Sequence, residues 1–300
     1  MKISVVGSIN IDMTVSTDCI PLRGETRKGD ALSYVPGGKG ANQSVAIAKL
    51  GGDVEMFGCV GDDENGKLLL QNLKNMGVET GHIRIVEGVA TGCAIIAVDD
   101  SDNTIIVIAG ANDYVTREYI DSVKNELFRS QAVVLQHEIP QETVEYVVSL
   151  CAEHGIITVL NPAPARPVKP EIIEQVTFLT PNEHEAAIIF GADRSIEDML
   201  SEYPGKLVVT RGAEGVSVCL KDRGILTVPS RKAKVVDTTG AGDTLNGAFI
   251  AQIVNGVGIE ESLTFANVAA SLSLEKFGAQ GGMPSRAEVE DEMSRISAKT

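Results

Sequence analysis

The chain has 300 residues, of which 43% are hydrophobic, which is enough to bury a full core in one large domain. Its net charge of −15 disfavours nonspecific binding to nucleic acid or acidic membranes, although a local site can still bind a phosphorylated substrate. No stretch approaches the ~20 apolar residues of a membrane span, and the five cysteines and four histidines form no metal-binding motif, so we expect a cytoplasmic protein with reduced thiols and no zinc.

Short β-branched runs alternate with helical periods along the first two thirds of the chain. We predict strands at residues 3–6, 54–60, 132–136, 156–161, 177–182 and 206–210. We predict helices at residues 41–51, 65–77 and 141–155, and a short helical segment between the fourth and fifth strands. Continuous apolar strands that alternate with helices are typical of an α/β fold with a mainly parallel sheet covered on both faces.

Two segments interrupt this alternation. Residues 12–36 and 90–109 alternate polar and apolar side chains, and the second contains a hairpin signal with a polar turn at 100–103. We predict that they form a small antiparallel sheet, a lid over the end of the main sheet, although edge strands of the main sheet fit the same pattern. The chain then continues with a predicted hairpin at 215–220 and 224–230 and predicted helices at about 242–255, 259–276 and 285–297.

The segment "VVDTTGAGDTLNGAF" (235–249) carries the strongest chemical signal. A turn of small residues, Gly240, Ala241 and Gly242, opens a predicted helix. The unpaired N–H groups and the dipole at a helix N-terminus favour phosphate oxygens. An ionised Asp243 beside a bound phosphoryl group can take the proton of an attacking hydroxyl. The pattern therefore indicates phosphoryl transfer, although spacing alone leaves open that Asp243 only caps the helix.

A second glycine-rich stretch, "PGGKGANQS" (36–44), also opens a helix. Gly38 allows close backbone approach to a ligand, and Lys39 and Asn42 offer donors for hydroxyl groups. A tight turn is the alternative. The stretch "GDDENGKL" (61–68) matches G-x-x-x-x-G-K, but a P-loop needs Ser or Thr where Leu68 stands, so we interpret it as an acidic turn before a helix.

Further polar residues follow predicted strands. Asn10 and Asp12 follow the first strand, and Glu138 follows the strand at 132–136. Ligands gather at the carboxyl ends of parallel strands, so these residues could face one cleft and bind sugar hydroxyls, although ordinary loop polarity also explains each of them. Asn182 and Glu185 share a face at a helix start, where they could act near phosphates or hydrated Mg²⁺, and helix capping competes with or accompanies that role for Asn182.

The whole chain resembles the ribokinase-type carbohydrate kinase family. The resemblance rests, in chain order, on "GSINID", "PGGKGANQ", "GDD", "GAN", "EIP", "LNPAPAR", "TPNEHE", "VVDTTGAGDTLNGAF" and "GAQGGMPS". Within the family, "GGKGANQ" and "NPAPAR" point to the kinases that act on ribose. The resemblance implies a single Rossmann-like α/β domain over residues 1–300, with a β lid at about 12–36 and 90–110. It also implies a homodimer, because the lids of two subunits in this family often clasp each other.

The resemblance further implies transfer of the γ-phosphoryl group of ATP to the 5-hydroxyl of D-ribose, with Mg²⁺ and a monovalent cation, usually K⁺. It implies Asp243 as the catalytic base and an anion hole formed by Gly240, Ala241 and Gly242. The implied sugar-binding residues, besides Asp243, are Asn10, Asp12, Gly38, Lys39, Asn42 and Glu138. The implied nucleotide and Mg²⁺ residues, besides Gly242, are Asn182, Glu185, Thr210, Gly212 and Asn267. The implied ligands of the monovalent cation are Asp237, Thr239, Ser273, Gly278 and Gly282.

The sequence departs from the family pattern at Gly282, where ribokinases often carry a serine that helps to hold the cation. A backbone carbonyl, a water molecule or Ser285 would have to replace that ligand. Two other functions remain open at this point. One is a kinase for another sugar or a nucleoside, such as deoxyribose, and the other is a sugar-binding regulator without catalysis.

Overall fold

The computed structural model of the protein describes residues 1–99 and 103–298. The strands within these ranges are β1 (Lys2–Val6), β2 (Asn10–Ser16), β3 (Ala31–Gly37), β4 (Asp53–Gly61), β5 (Glu79–Val86), β6 (Gly92–Val98), β7 (Asn103–Ile108), β8 (Ala132–Gln136), β9 (Ile157–Asn161), β10 (Phe178–Leu179), β11 (Val208–Thr210), β12 (Val216–Leu220) and β13 (Gly224–Val228). The helices are α1 (Lys39–Lys49), α2 (Glu64–Asn75), α3 (Arg117–Leu127), α4 (Gln141–Glu153), α5 (Pro170–Gln175), α6 (Glu183–Phe190), α7 (Ile196–Glu202), α8 (Ala241–Ile253), α9 (Ile259–Ser273), α10 (Ala279–Gly282) and α11 (Arg286–Ser297).

The main sheet contains six parallel strands in the order β10-β9-β8-β1-β4-β5. Ile3 on β1 pairs with Val54 on β4 and with Ala132 on β8. The chain therefore builds the sheet outward in one direction from β1 to β5 and in the other from β8 to β10. The strand order reverses between β1 and β8, which is the position where open α/β sheets bind ligands beyond their carboxyl ends.

Apolar side chains cover both faces of the main sheet. Along β8, Ala132 and Val134 belong to one buried cluster, whereas Val133 and Leu135 belong to the other. Helices α1, α2, α8, α9 and α11 contribute to the first cluster, and the helices from α3 to α7 contribute to the second. The predicted α/β class, with helices on both faces of a parallel sheet, is confirmed.

The strands β11, β12 and β13 form a small antiparallel sheet. Single parallel bridges join Leu179 to Leu207 and Asn182 to Thr210, so this sheet extends the main sheet beyond β10. The predicted hairpin of β12 and β13 is confirmed. The predicted strand at 177–182 is shorter than expected, because Asn182 already caps helix α6.

A separate four-stranded sheet has the order β3-β2-β6-β7 and is called the lid sheet below. The interruption in the alternating pattern therefore marks a second sheet rather than edge strands of the main one. Its outer pairs are antiparallel as predicted, but its middle pair, β2 and β6, runs parallel. Asn10 and Gly92, the first residues of β2 and β6, pair with each other. We call this end of the two strands the root of the lid sheet. Of the predicted polar turn at 100–103, residues 100–102 lie outside the described ranges.

Strand β5 and helices α3, α7 and α10 were not predicted. Strand β5 carries Glu79, His82 and Arg84 on an edge of the main sheet, and these polar residues hide its apolar pattern. The acidic turn at 61–68 is confirmed, because Asp63 caps α2 by accepting a hydrogen bond from the Gly66 N–H. Among the helices in the described ranges, none is both long enough and apolar enough to cross a membrane.

Candidate functional site

The candidate site lies where the order of the main sheet reverses. After β1 the chain passes through Ser8, and after β8 it reaches Glu138. Ser8 Oγ donates a hydrogen bond to Glu138 Oε2 at 2.5 Å. The same carboxylate oxygen accepts the backbone N–H of Lys39, the first residue of α1, at 2.9 Å. The first strand, the eighth strand and the first helix therefore meet at one carboxylate, as the position of the reversal predicts.

Asn10 is buried at the root of the lid sheet. Its Oδ1 accepts a hydrogen bond from Asn112 Nδ2 at 2.7 Å, and Asn112 Oδ1 accepts the Ile9 N–H at 2.9 Å. In the described part of the chain, Asn10 Nδ2 donates to no other group. The Asn112 side chain thus fixes the orientation of the Asn10 amide, which presents its donor end to the site.

Gly38 forms the tight turn between β3 and α1. Its φ of 88° lies in the left-handed region, and a Cβ atom at this position would stand 2.7 Å from the backbone nitrogen of Asn10. Only glycine fits both conditions without strain. The turn interpretation of the glycine-rich stretch therefore holds, and the turn also starts α1, which carries Lys39 and Asn42, beside the backbone of Ser8 and Asn10.

Asp12 lies on β2 and is half-buried. The chain at Gly37 passes so close that an added Cβ atom there would stand 2.2 Å from Asp12 Oδ2. Burial raises the pKa of Asp12 to about 7, and the nearby carboxylates of Glu138 and Asp243 act in the same direction, while Lys39 opposes them. This carboxyl group therefore changes charge near neutral pH.

Asp243 lies in the first turn of α8 and is 6% exposed. Gly240 is the N-cap residue of α8 and is left-handed with a φ of 79°, and no side chain caps the helix. The capping interpretation of Asp243 is therefore wrong. Its Oδ2 instead accepts from Asn42 Nδ2 at 3.0 Å, and its Oδ1 accepts from Gln43 Nε2 at 3.0 Å. Burial raises the pKa of Asp243, against the opposing effects of Lys39 and these two amides.

Lys39 is the positive charge of the site. Burial lowers the pKa of its ammonium group, but the carboxylates of Asp243, Glu138, Glu185 and Asp12 outweigh burial, so the pKa is raised. Lys39 therefore stays charged and offsets part of the repulsion among these four carboxylates. We call the region around Lys39 the polar pocket. It is surrounded by Asn10, Asp12, Gly38, Asn42, Glu138 and Asp243.

Asn182 and Glu185 form a capping box at the start of α6. Asn182 Oδ1 accepts the Glu185 N–H at 2.8 Å, and Glu185 Oε2 accepts the Asn182 N–H at 2.8 Å. The capping interpretation of Asn182 is confirmed. Glu185 is 7% exposed, and its Oε1 makes no hydrogen bond to any described residue. That oxygen suits a hydrated Mg²⁺ ion, which prefers carboxylate ligands and keeps several of its waters.

A cavity of about 650 Å³ opens on the other side of the α8 N-terminus, between α8, α9, the end of β11 with the turn after it, and the segment 230–238 that follows β13. Its lining includes four of the predicted nucleotide residues, Thr210, Gly212, Gly242 and Asn267. Asn267 Nδ2 donates to the carbonyl groups of Val228 and Pro229 and so fixes the wall of the cavity. We call it the α8–α9 cavity.

The segment predicted to hold a monovalent cation is built around Asp237. Its Oδ1 accepts the Thr239 N–H at 2.9 Å, and its Oδ2 accepts the Gly278 N–H at 2.9 Å. Burial alone would raise the pKa of Asp237, but these hydrogen bonds outweigh it and the pKa is lowered. The lowered pKa favours the ionised form of this carboxyl group, and an ionised carboxylate is a ligand that fits a hard monovalent cation.

Close packing explains why residue 282 is a glycine. A Cβ atom at this position would stand 2.6 Å from the carbonyl oxygen of Ser273, and the Gly282 N–H donates to the Gly278 carbonyl at 2.8 Å. A serine at 282 would therefore displace the Ser273 carbonyl. Ser285 caps α11 together with Glu288 and is engaged there. A backbone carbonyl or a water molecule remains as the replacement for the serine ligand.

Sequence reasoning missed three residues that touch the site, Ser8, Gln43 and Asn112. All three are buried and polar. The sequence signal for Gln43 was its position directly after Asn42 in the glycine-rich stretch. A buried amide needs hydrogen-bond partners, and in this fold the partner is Asp243.

The chain is similar in sequence and in structure to known carbohydrate kinases. The chain is 48% identical to a ribokinase of Bacillus subtilis (strain 168) over 293 residues, which are 98% of this chain and 99% of that protein. A crystal structure of a ribokinase from Thermotoga maritima superposes with a TM-score of 0.89, with 37% identity over 97% of this chain and 99% of that chain. An Arabidopsis thaliana ribokinase, complexed with ribose and ATP, superposes with a TM-score of 0.86, with 31% identity over 96% of this chain and 97% of that chain. The family model described as "pfkB family carbohydrate kinase" matches residues 1–286 of the chain. The site places a carboxylate between a polar pocket and a nucleotide-sized cavity. By these similarities, the protein belongs to the pfkB family of carbohydrate kinases.

Proposed function

We propose that the protein phosphorylates D-ribose at O5 with ATP, giving D-ribose 5-phosphate and ADP. The position of Asp243 carries the proposal. Its carboxylate contacts Asn42 of the polar pocket, and its chain neighbour Gly242 lines the α8–α9 cavity. A volume of about 650 Å³ lies in the range of cofactor sites. Similarity to ribokinases over nearly the whole chain supports ribose as the acceptor.

The sugar occupies the polar pocket in this proposal. Carboxylates accept hydrogen bonds from hydroxyl groups, while amide and ammonium groups donate to hydroxyl oxygens. The pocket offers both kinds in close proximity, as a polyhydroxylated ring requires. The residues that we assign to sugar binding are Asn10, Asp12, Gly38, Lys39, Asn42, Glu138 and Asp243.

The transfer step uses the N-terminus of α8. Asp243 takes the proton of the O5 hydroxyl, O5 forms a bond to the γ-phosphorus, and the bond from that phosphorus to the bridging oxygen of ADP breaks. The backbone N–H groups of Gly240, Ala241 and Gly242 stabilise the charge on the transferring group. The nucleotide itself lies in the α8–α9 cavity against Thr210, Gly212 and Asn267.

Magnesium supplies charge neutralisation on the phosphates when it is bound with ATP. We assign its waters to the Oε1 atom of Glu185, with Asn182 holding that side chain through the capping box. The proposed site of a monovalent cation consists of Asp237, Thr239, Ser273, Gly278 and Gly282. The family resemblance points to K⁺ as that cation.

We expect potassium to stimulate the reaction and to raise the melting temperature of the protein without substrates, because an ion that binds only the folded chain stabilises it. Asp237→Asn should lower activity in K⁺ by roughly tenfold and remove the K⁺-dependent rise in melting temperature. Asp222→Asn, at an exposed position, is the matched control. Equal activity and equal melting temperature in K⁺ and in the absence of monovalent metal ions would contradict this assignment.

The pKa of Asp12 leads to a pH dependence of ribose binding. Below about pH 7 its carboxyl group is protonated and accepts hydrogen bonds poorly, so the KM for ribose should rise as the pH falls from 8 to 6. The expected rise is at most roughly tenfold per pH unit. Asp12→Asn should raise this KM and flatten its pH dependence, while the pH dependence of kcat persists. A wild-type KM that stays constant from pH 5.5 to 8.5 would rule out this role.

The test of the proposed function is ADP formation from ATP and Mg²⁺ with D-ribose, compared at equal concentrations with deoxyribose, fructose and adenosine. We expect the highest kcat/KM with ribose. A higher value with another acceptor would assign the enzyme to that sugar or nucleoside instead. Binding of ribose by calorimetry without ADP formation from any acceptor would favour a non-catalytic regulator.

The lid sheet leads to a proposed homodimer. Leu32, Ile105, Ile106 and Val107 expose 52% to 59% of their surface on this sheet, and an exposed apolar sheet favours association. We expect a dimer by light scattering, and we expect Ile106→Lys to shift it toward monomer. Ile225→Lys, on β13, is the matched control. Monomeric wild-type protein at micromolar concentration would refute the dimer.

The lid sheet also has a proposed dynamic role, in which it closes over the ribose and excludes water before transfer. We further propose that the enzyme acts in the cytoplasm as one domain over residues 1–300. The free state of its cysteines supports a reducing compartment.

A further inference from the structure

Gln43 is a fully buried side chain that contacts Asp243 but has no place in the transfer step described above. Its Nε2 donates to Asp243 Oδ1 at 3.0 Å and to Asn161 Oδ1 at 3.2 Å. Its Oε1 accepts from Gln136 Nε2 at 2.7 Å. Both ends of this amide are therefore engaged, away from solvent.

The direction of the Gln43 amide is fixed by its neighbours. An ionised carboxylate only accepts hydrogen bonds, so the NH₂ group must face Asp243. The oxygen then faces Gln136, which supplies a donor. If the amide were rotated, its oxygen would face the carboxylate oxygen of Asp243 and its NH₂ group would face the NH₂ group of Gln136. The network therefore allows one orientation, in which Gln43 presents a donor to Asp243.

The network is anchored to the ends of neighbouring strands. Gln136 is the last residue of β8 and Asn161 the last of β9. Gln136 packs against the backbone after β1, because a Cβ atom on Gly7 would stand 2.0 Å from Gln136 Oε1. Asn161 Nδ2 donates to the Thr180 carbonyl at 3.1 Å. The hydrogen bonds of Gln43 thus tie the Asp243 side chain of helix α8 to the carboxyl ends of β8 and β9 in the main sheet.

The geometry points to Gln43 as a positioning residue that holds the Asp243 carboxylate in its ionised, productive orientation for proton transfer. This inference rests on the proposed function, in which Asp243 is the general base. Asn42 holds the other carboxylate oxygen, but it also faces the polar pocket. Gln43 faces Asp243 from the sheet side and needs no contact with either substrate.

The inference predicts the direction in which the pH profile of kcat moves when the Gln43 donor is removed. A donor to a carboxylate stabilises the ionised form, so removing that donor makes the carboxyl group harder to ionise. A general base acts only when ionised, so the acidic side of the pH profile of kcat should move to higher pH. The hydrogen bond does not touch ATP or the sugar, and the KM values should therefore change little.

The experiment compares the wild type with Gln43→Met, which keeps the length of the side chain and removes its donor. We expect kcat to fall roughly 10- to 100-fold at pH 7 and the acidic side of its pH profile to move up by about one pH unit. The KM for ATP should stay within about twofold. Gln252→Met, a buried glutamine further along α8, is the matched control and should leave the profile unchanged.

A second variant covers the case in which Gln43→Met does not fold. Gln136→Met leaves Gln43 in place but removes the donor to its oxygen, so a smaller shift of the same sign is expected. Carbon-detected NMR titration of the Asp243 carboxyl group, in protein without substrates, gives the same comparison independently of turnover. A titration midpoint that does not move in either folded variant would overturn the inference. Absence of phosphoryl transfer in the wild type would instead overturn the proposed function.

Discussion

Asp243→Asn should lower kcat for ribose phosphorylation by roughly 10²- to 10⁴-fold, the range expected when a general base is removed. The asparagine amide cannot take the proton of the hydroxyl group at neutral pH. It also carries only one oxygen, whereas the wild-type carboxylate accepts from both Asn42 and Gln43. One of these donors would face the new NH₂ group. The measurement is ADP formation at saturating ribose and ATP.

The control for this prediction separates catalysis from binding. Asp12→Asn removes a neighbouring carboxylate of the same pocket and should change mainly the KM for ribose. For Asp243→Asn, calorimetry should find ATP binding within a few-fold of the wild-type affinity, because Gly242 and Asn267 of the α8–α9 cavity are unchanged. A kcat within tenfold of the wild-type value, in a variant that binds both substrates, would remove Asp243 from the role of base.

Local sequence signals predicted the parts of the site that depend on one turn. The run of small residues from Gly240 to Gly242 predicted the helix start, and the structure starts α8 at Ala241 with Gly240 as its N-cap. Asn10 and Glu138, which follow β1 and β8, were predicted to share a cleft. Ser8, two residues before Asn10, donates a hydrogen bond to Glu138, which also accepts the Lys39 N–H. These features follow from chain-local chemistry and from the rule that ligands gather where the strand order reverses.

The features that sequence analysis missed depend on pairs of residues distant in the chain. The parallel pairing of β2 with β6 joins Asn10 to Gly92, and no periodicity within either strand specifies that direction. The hydrogen bond from Gln43 to Asp243 spans 200 positions. Spacing likewise placed Asp243 at a helix start and left capping and proton transfer equally open. The structure excludes capping, because no side chain caps α8 and the Asp243 carboxylate accepts from Asn42 and Gln43 instead.

Lys39→Met should lower kcat/KM for ribose by roughly 100-fold or more at pH 7. Lys39 opposes the rise in pKa that burial causes in both Asp12 and Asp243. Without the ammonium group, both pKa values should rise further, so less of the base is ionised at neutral pH. Part of the lost activity should return as the pH increases. Lys206→Met is the matched control, since this half-buried lysine donates to backbone carbonyls away from the site.

A charge-conserving variant separates the two roles of Lys39. Lys39→Arg keeps the positive charge among the carboxylates but presents a wide, planar donor group in place of a compact ammonium. Its pH profile of kcat should therefore resemble that of the wild type, while the KM for ribose rises. If Lys39→Arg instead shifted the profile as far as Lys39→Met does, the ammonium would not act through its charge. The pKa of Asp243 would then depend on burial and on its two amide donors, Asn42 and Gln43.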